Sequence, residues 1–277
     1  MASVDPLQPD FAPRGTAWYY ATLHLPGPRR RHLLLLQAWW RAVRVIPASV
    51  SDPIVGAAKL GWWRAQLQQI DQGRPDHPLL RELHPALREV AGAAALLEQA
   101  LDTVQPAAPS ARADWDELHA ELLRGSGSVA RVAMRLAGGD DPAAQAYFAE
   151  LAAALDLVVL LRDVGRDARE QVVRLPRSLL RAHGLGEQDF TQLRDSPQMR
   201  AALREAAAQA RLRLQAARSL RPRGMGRAGR VPGALARMGE ALLRELEQAD
   251  HALLEQRISL PPLRLLWEAW RAKFERV

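Results

Sequence analysis

The amino-acid sequence predicts an all-α protein, and two observations support this fold class. Alanine, leucine, arginine, glutamate and glutamine dominate the 277 residues, whereas β-branched residues are sparse, so intrinsic propensity favours helix over strand. Proline, glycine and Asp or Ser capping residues stand at the ends of the helix-prone segments, where helices begin and end. An all-α fold follows from these two features together.

Each helix is predicted between identifiable start and stop signals. Pro26 and Pro28 separate the first two helices, Pro47 stops the second, and Asp52 followed by Pro53 begins the third. The later helices are bounded in the same way. The predicted helices cover residues 16–26, 28–46, 53–70, 78–104 with breaks, 115–136, 142–169, 176–183, 196–220, 232–256 and 261–274.

We expect one domain over residues 1–277, because the sequence shows no repeat of fixed period and no long linker. Residues 1–13 are expected to form a flexible N-terminal segment. They lack the pattern of a signal peptide, and no apolar run approaches the ~18 residues of a membrane span. We therefore expect a cytoplasmic protein, with association to a membrane surface left open.

The net charge of +7 does not predict nucleic-acid binding, because the arginines are spread along the chain and interleave with acidic residues. The basic cluster of Arg221, Arg223, Arg227 and Arg230 is interpreted as a loop, with an anion site as the alternative. The lack of cysteine excludes disulfides, thiolate metal sites and cysteine nucleophiles. The seven histidines show no close metal-binding spacing, and nucleotide-binding and serine-hydrolase motifs are absent.

Three aspartates interrupt the apolar helix predicted over residues 142–169. Asp156, Asp163 and Asp167 lie at i, i+7 and i+11, which places them on one helix face. A buried carboxylate without a partner is strongly destabilising, so this aspartate stripe must meet cations, a metal ion or a water-filled cavity. Asp163 and Asp167 have the spacing to share one Mg²⁺. The alternative is an outward-facing helix end, where both pair with arginines next to them in the sequence.

The segment around these aspartates resembles the second aspartate-rich motif of squalene and phytoene synthases. It reads Leu161-Arg162-Asp163-Val164-Gly165-Arg166-Asp167 and is followed by Leu175-Pro176. The resemblance covers nearly the whole chain. Further segments that resemble the family, in the same order, are Trp18-Tyr19-Tyr20-Ala21, Val50-Ser51-Asp52-Pro53, Lys59-Leu60-Gly61-Trp62-Trp63-Arg64, Gly127-Ser128-Val129 and Gln256-Arg257-Ile258-Ser259.

The resemblance implies a single-domain, isoprenoid-synthase-type helical bundle around a central cavity. In that family two aspartate-rich helices face each other, bind Mg²⁺ and the diphosphates of two isoprenyl substrates, and the substrates are joined head to head. It therefore implies Mg²⁺ at Asp163 and Asp167 if activity is retained, and no cofactor otherwise. The substrate or cavity candidates that it implies are Tyr19, Tyr20, Arg41, Arg44, Trp63, Arg64, Ser128, Asp156, Arg162 and Arg174.

The first aspartate-rich motif of the family is missing. Arg44, Val45 and Ala48 stand where its acids are expected, and Arg174 replaces an expected tyrosine. We hypothesise that Arg44, with Arg41 and Arg174, neutralises the aspartate stripe directly through its guanidinium group. The alternative is an Arg44 that lies exposed near the end of its helix.

Two functions follow from the resemblance. The first is an impaired or inactive relative, a pseudoenzyme whose cavity binds an isoprenoid, another lipid or a protein partner. The second is an active Mg²⁺-dependent transferase that joins two isoprenyl diphosphates into squalene, presqualene diphosphate or phytoene. We favour the first, because four or more acids are needed to hold the metals. Degenerate relatives that serve as assembly factors in respiratory-complex biogenesis show that the fold can outlast the chemistry.

Overall fold

The computed structural model describes residues 15–73, 75–105, 111–192, 196–249, 252–254 and 257–274, and these contain helices and no strand. The all-α prediction is confirmed. The expected flexible segment, residues 1–13, lies outside the described residues. The α-helices are α1 (Ala17–Ala21), α2 (Gly27–Arg44), α3 (Ile46–Ser49), α4 (Pro53–Gln72), α5 (Pro78–Arg88), α6 (Ala93–Asp102), α7 (Trp115–Leu122), α8 (Ser128–Leu136), α9 (Pro142–Arg169), α10 (Arg177–Ala182), α11 (Glu187–Thr191), α12 (Pro197–Ser219), α13 (Arg230–Gln248) and α14 (Pro262–Arg271).

Capping side chains followed by proline start several of the long helices. Asp52, Asp141 and Ser196 each accept a hydrogen bond from a backbone N–H in the first turn of α4, α9 and α12. Proline at the first helical position adds to this signal, because a backbone N–H at that position would make no hydrogen bond within the helix and its loss therefore has no effect. The prediction that Pro47 stops the second helix is wrong: α2 ends at Arg44, and the proline lies in the first turn of α3, where it is tolerated.

The central helix is α9, which contacts α7, α8, α12 and α13. Its N-terminal half packs in one apolar cluster with α2, α5, α6 and α8, and its C-terminal half packs in a second cluster with α10 and α12. By length and hydropathy α9 also qualifies as a membrane span, which corrects the expectation that no segment comes near one. However, 67% of its most apolar window is buried inside the bundle, which is typical of a core helix.

A wide helical turn, Leu123–Gly127, joins α7 to α8 beside α9. Its hydrogen bonds are of the π type, so the helix predicted over residues 115–136 is continuous but locally wider. Glycine allows the close approach: a Cβ atom on Gly127 would lie 3.3 Å from the carbonyl oxygen of Ala149 on α9. The turn thereby presents the buried Ser126 to the cavity described below.

A second close approach fixes the C-terminal half of α9 against the short 3-10 turn Ala252–Leu254. A Cβ atom on Gly165 would lie 2.8 Å from the carbonyl oxygen of Leu254. Arg169 donates a hydrogen bond of 2.9 Å to the same oxygen. Because backbone atoms occupy this space, no larger residue than glycine fits without a shift of the main chain.

Candidate functional site

A cavity of about 440 Å³ lies between α2, the wide turn and the middle of α9. Its lining combines apolar and ionised side chains. The apolar part includes Trp40, Leu118, Leu122, Val159 and Leu160. The ionised part comprises Arg44, Arg112, Arg166 and Arg174 together with Glu121, Asp156, Asp163 and Glu170. Arginines and acids are therefore equal in number in the described lining.

Arg44 and Asp156 form an ion pair between α2 and α9. The Nη1 atom of Arg44 lies 3.2 Å from Oδ1 and 3.1 Å from Oδ2 of Asp156. The hydroxyl of Ser126 donates to the same carboxylate, and the guanidinium lies 5.5 Å from the ring centre of Trp40. The predicted contact between Arg44 and the aspartate stripe is thus confirmed for Asp156. A guanidinium here also suits the C-terminal end of α2, where the helix dipole favours positive charge.

Asp163 is only 5% exposed and is held by three arginines. Arg162 donates to its two carboxylate oxygens at 2.9 and 2.7 Å, Arg257 donates at 3.0 Å, and Arg166 lies 3.5 Å away. Burial raises the pKa of Asp163, but the arginines outweigh it and hold the pKa below its ordinary value. The carboxyl group is therefore ionised at neutral pH with arginine as its counter-ion.

Asp167 is 1% exposed and lies between two arginines. Arg166 donates to its Oδ1 at 3.0 Å, and the Nε atom of Arg174 lies 3.1 Å from its Oδ2. The second contact lacks the alignment of a hydrogen bond, so Oδ2 accepts none. Burial raises the pKa of Asp167 above its ordinary value against the opposing charges of Arg174 and Arg166, and the nearby charge of Asp163 raises it further.

These contacts bear on both interpretations of the aspartate stripe. The neighbouring arginines do pair with Asp163 and Asp167, but the two carboxyl groups are buried and do not face outward. Mg²⁺ takes several oxygen ligands, and the described residues hold no group of three or more His, Asp or Glu side chains placed to share an ion. A metal ion shared by Asp163 and Asp167 would compete with the arginines that already contact both carboxylates. As arranged, this donor set does not fit Mg²⁺.

The candidates on α1 and the exposed face of α2 lie outside the lining of this cavity. Tyr19 meets Tyr20 edge to face, and the guanidinium of Arg30 lies 4.8 Å from the Tyr19 ring centre. Tyr20 packs, partly buried, against the first apolar cluster. Arg41 is exposed one turn before Arg44. The structure therefore brings Arg44 and Arg174 to the stripe and leaves these three residues elsewhere.

The remaining candidates serve the surrounding structure. Trp63 is buried with its ring centre 4.7 Å from that of His77, and the exposed Arg64 pairs with Asp102. Ser128 is buried and donates to a glutamine on α6 at 3.4 Å. None of these residues lines the cavity. Arg162 does not line it either, and acts on it through Asp163.

Sequence reasoning missed several residues of the site, including Glu170 of the charged lining. Ser126 was signalled by a Gly-Ser-Gly run inside a helical pattern, and Arg257 by its place in a segment that resembles the family. Arg112 and Glu121, which bond to each other, carry no such signal. Arg112 precedes α7 and Glu121 lies on α7, so the pair reaches the cavity only because these two segments pack together.

Comparisons with known proteins agree with this architecture. The family model for squalene/phytoene synthase matches residues 12–264. NADH dehydrogenase (ubiquinone) complex I, assembly factor 6, from Bos taurus is 25% identical over 263 residues, which cover 92% of this chain and 78% of that protein. Phytoene synthase from Thermus thermophilus is 40% identical over 96 residues, which cover 33% of each protein.

A solved structure supports the same fold. The crystal structure of a dehydrosqualene synthase in complex with ligand superposes with a TM-score of 0.77 at 19% identity, covering 92% of this chain and 90% of that one. This likeness confirms the isoprenoid-synthase-type helical bundle that the sequence motifs led us to expect. Since the family model also matches most of the sequence, the chain belongs to the squalene/phytoene synthase family.

Proposed function

We propose that this member of the family does not join isoprenyl diphosphates and acts instead as a binding protein in the assembly of a larger complex. One observation carries the proposal: every aspartate of the stripe already has an arginine as its counter-ion. Arg44 supplies one of these charges from the position where the family's first motif would supply an acid. The cavity would then take an isoprenoid or another lipid without its diphosphate, or contribute to contact with a protein partner.

The chemistry of the family explains why these pairs matter. Ionisation of an allylic diphosphate needs divalent metal ions that neutralise the leaving group. Among the described lining residues the four arginines are matched by four acids, and the arginines that contact the aspartate stripe are already engaged in ion pairs. A diphosphate placed there would have to draw arginines away from the aspartates, which would leave buried carboxylates unpaired.

Similarity to complex I assembly factor 6 suggests which kind of partner this chain binds, namely another protein. The likeness extends over 92% of this chain, so it includes both apolar clusters and the cavity. By extension we propose a protein partner for this chain. In a host that lacks the protein, the amount of the assembled partner complex should fall. The Asp163→Asn variant, compared at an equal amount of folded protein, should restore it, because assembly needs no metal-bound carboxylate.

The direct test is incubation of the protein with farnesyl or geranylgeranyl diphosphate and Mg²⁺, with measurement of released pyrophosphate. We expect no release above background, and no rise in the melting temperature when Mg²⁺ is added to metal-free protein. Asp71→Asn, which alters an exposed carboxylate on α4, is a matched control for any non-specific effect of charge.

The second candidate is the active transferase. It is favoured by the buried i, i+4 pair of Asp163 and Asp167 and by the 40% local identity to phytoene synthase. Pyrophosphate release that disappears in Asp163→Ala but persists in Asp71→Asn would establish this function and overturn the first. A Mg²⁺-dependent rise in melting temperature that both Asp163→Ala and Asp167→Ala abolish would point the same way.

A further inference from the structure

The last helix of the described chain is anchored by one of its faces. Leu265 and Ala272 are buried, and α14 packs against α13 and α1. Glu268 is fully buried and accepts ion-pair contacts of 3.0 Å from Arg237 on α13 and 3.1 Å from Arg264. Arg264 lies on α14 itself, so the contact of Glu268 with Arg237 on α13, together with the burial of Leu265 and Ala272, determines which face of α14 points away from the bundle.

The opposite face of α14 and of the 3-10 turn that continues it to Phe274 is apolar and exposed. We call it the aromatic face, and it consists of Leu263, Leu266, Trp267, Trp270 and Phe274, which are 80, 43, 49, 46 and 66% exposed. The ring centres of Trp267 and Trp270 are 5.1 Å apart, and those of Trp270 and Phe274 are 4.7 Å apart. A contiguous exposed surface of this kind marks a site of interaction with a membrane or a partner.

Positive charge borders the aromatic face. Lys273 precedes Phe274 on the 3-10 turn, and this turn packs against α13, the helix that begins at Arg230. The segment that contains Arg221, Arg223, Arg227 and Arg230, here called the basic loop, ends in the first residue of α13, the helix against which the 3-10 turn of the aromatic face packs. Between Glu205 and Glu240 the sequence contains eight arginines and no acid. Four of them pair with acids from elsewhere in the chain, namely Arg211, Arg213, Arg218 and Arg237, and the other four are those of the basic loop.

The exposed aromatic rings and the neighbouring cations together indicate the kind of partner that this surface binds. Tryptophan and phenylalanine beside arginine and lysine suit the headgroup level of a bilayer, where rings lie among the acyl chains and cations meet anionic lipid headgroups. We propose that the aromatic face and the basic loop dock this protein onto the surface of an acidic phospholipid bilayer. This surface does not include the cavity, so the inference holds whether or not the cavity is catalytic.

Sedimentation of the full chain with phospholipid vesicles tests the proposal. Vesicles that contain phosphatidylglycerol should bind the protein, vesicles of phosphatidylcholine alone should bind it more weakly, and added salt should weaken the first binding most. The Trp267→Ser/Trp270→Ser variant should lower the partition coefficient by about tenfold or more, because both rings lose their apolar contact with lipid. Trp62→Ser removes an equally exposed ring on α4 and should leave binding unchanged.

A second variant tests the contribution of the basic loop separately from that of the aromatic face. Arg223→Gln/Arg227→Gln should lower binding to acidic vesicles by roughly tenfold and leave binding to neutral vesicles unchanged. Failure of the wild-type protein to bind acidic vesicles would overturn the proposal. So would equal loss of binding in Trp62→Ser. If the wild type is a dimer that the Trp267→Ser/Trp270→Ser variant converts to a monomer, and vesicles bind neither, the aromatic face is an interface between two copies and the proposal is also overturned.

Discussion

Replacement of Arg44 by methionine removes the charge that faces Asp156 and keeps the length of the side chain. Asp156 would retain only the hydroxyl of Ser126, although 84% of its side chain is out of solvent. The converse change, Asp156→Asn, is milder, because the Arg44 side chain is 34% exposed and can turn towards water. We therefore expect Arg44→Met to destabilise the protein more than Asp156→Asn.

The size of the coupling follows from the geometry. Opposite unit charges 4 Å apart attract by about 4 kcal/mol at an effective dielectric constant of about 20. Desolvation and the partial exposure of Arg44 offset most of this attraction, which leaves a coupling energy of about 1–2 kcal/mol. An exposed pair is worth less: Arg31 and Glu82, whose side chains are 54 and 33% exposed, should couple by no more than about 0.5 kcal/mol.

The assay is a double-mutant cycle on the free energy of unfolding in urea. It uses Arg44→Met, Asp156→Asn and their combination, with Arg31→Met and Glu82→Gln as the matched surface cycle. A coupling energy at Arg44 and Asp156 no larger than that of the surface pair would refute the view that this arginine neutralises the stripe. A much larger destabilisation by Asp156→Asn than by Arg44→Met would refute the expected asymmetry.

Further predictions concern the pH dependence of the aspartate stripe and the tightly packed Gly165, which lies on the same helix. Since arginines hold the folded pKa of Asp163 below its unfolded value of about 3.9, its stabilising effect is present above that pH and is lost as the pH falls through the folded pKa. The advantage of the wild type over Asp163→Asn should therefore shrink between pH 7 and pH 3. For Asp167 the folded pKa is raised, so the advantage over Asp167→Asn should grow in the same direction, as measured by unfolding at both pH values. Gly165→Ala should lower the free energy of unfolding by about 2–3 kcal/mol, because the added Cβ atom would meet a backbone carbonyl oxygen. Gly61→Ala on α4 is the control: the space around its Cβ atom is open, so this change should raise the free energy of unfolding by about 0.5–1 kcal/mol. Equal effects of the two changes in denaturant unfolding would contradict this prediction.

Local signals were sufficient to predict most of the helices. α9 begins at Pro142 after the cap Asp141 and ends at Arg169, as predicted, because its start signal and its long apolar pattern are both in the sequence. α11 was missed because five residues carry too little periodicity to stand out. At Pro47 the local rule gave the wrong boundary, since proline suits the first turn of a new helix as well as the end of an old one.

Sequence analysis predicted the part of the site for which it had two signals, the spacing of residues within one helix and the resemblance to the family. The spacing of Asp156, Asp163 and Asp167 predicted a shared face, and an arginine in place of an expected acid predicted the contact of Arg44. Arg257 reaches Asp163 across 94 positions of the chain, and no local rule connects two residues so far apart. Such partners depend on how the helices pack, which propensity and periodicity do not encode.

The ion pair between Arg44 and Asp156 also restricts how this protein could evolve. A single change of Arg44 to aspartate would set two carboxylates against each other without completing a set of metal ligands, and Ala48 would still have to change as well. The change at Arg44 alone would lower stability, and the change at Ala48 alone would not complete a set of metal ligands, so a metal site requires both. The stability that the Arg44–Asp156 pair supplies would therefore be lost before a metal ion could replace it.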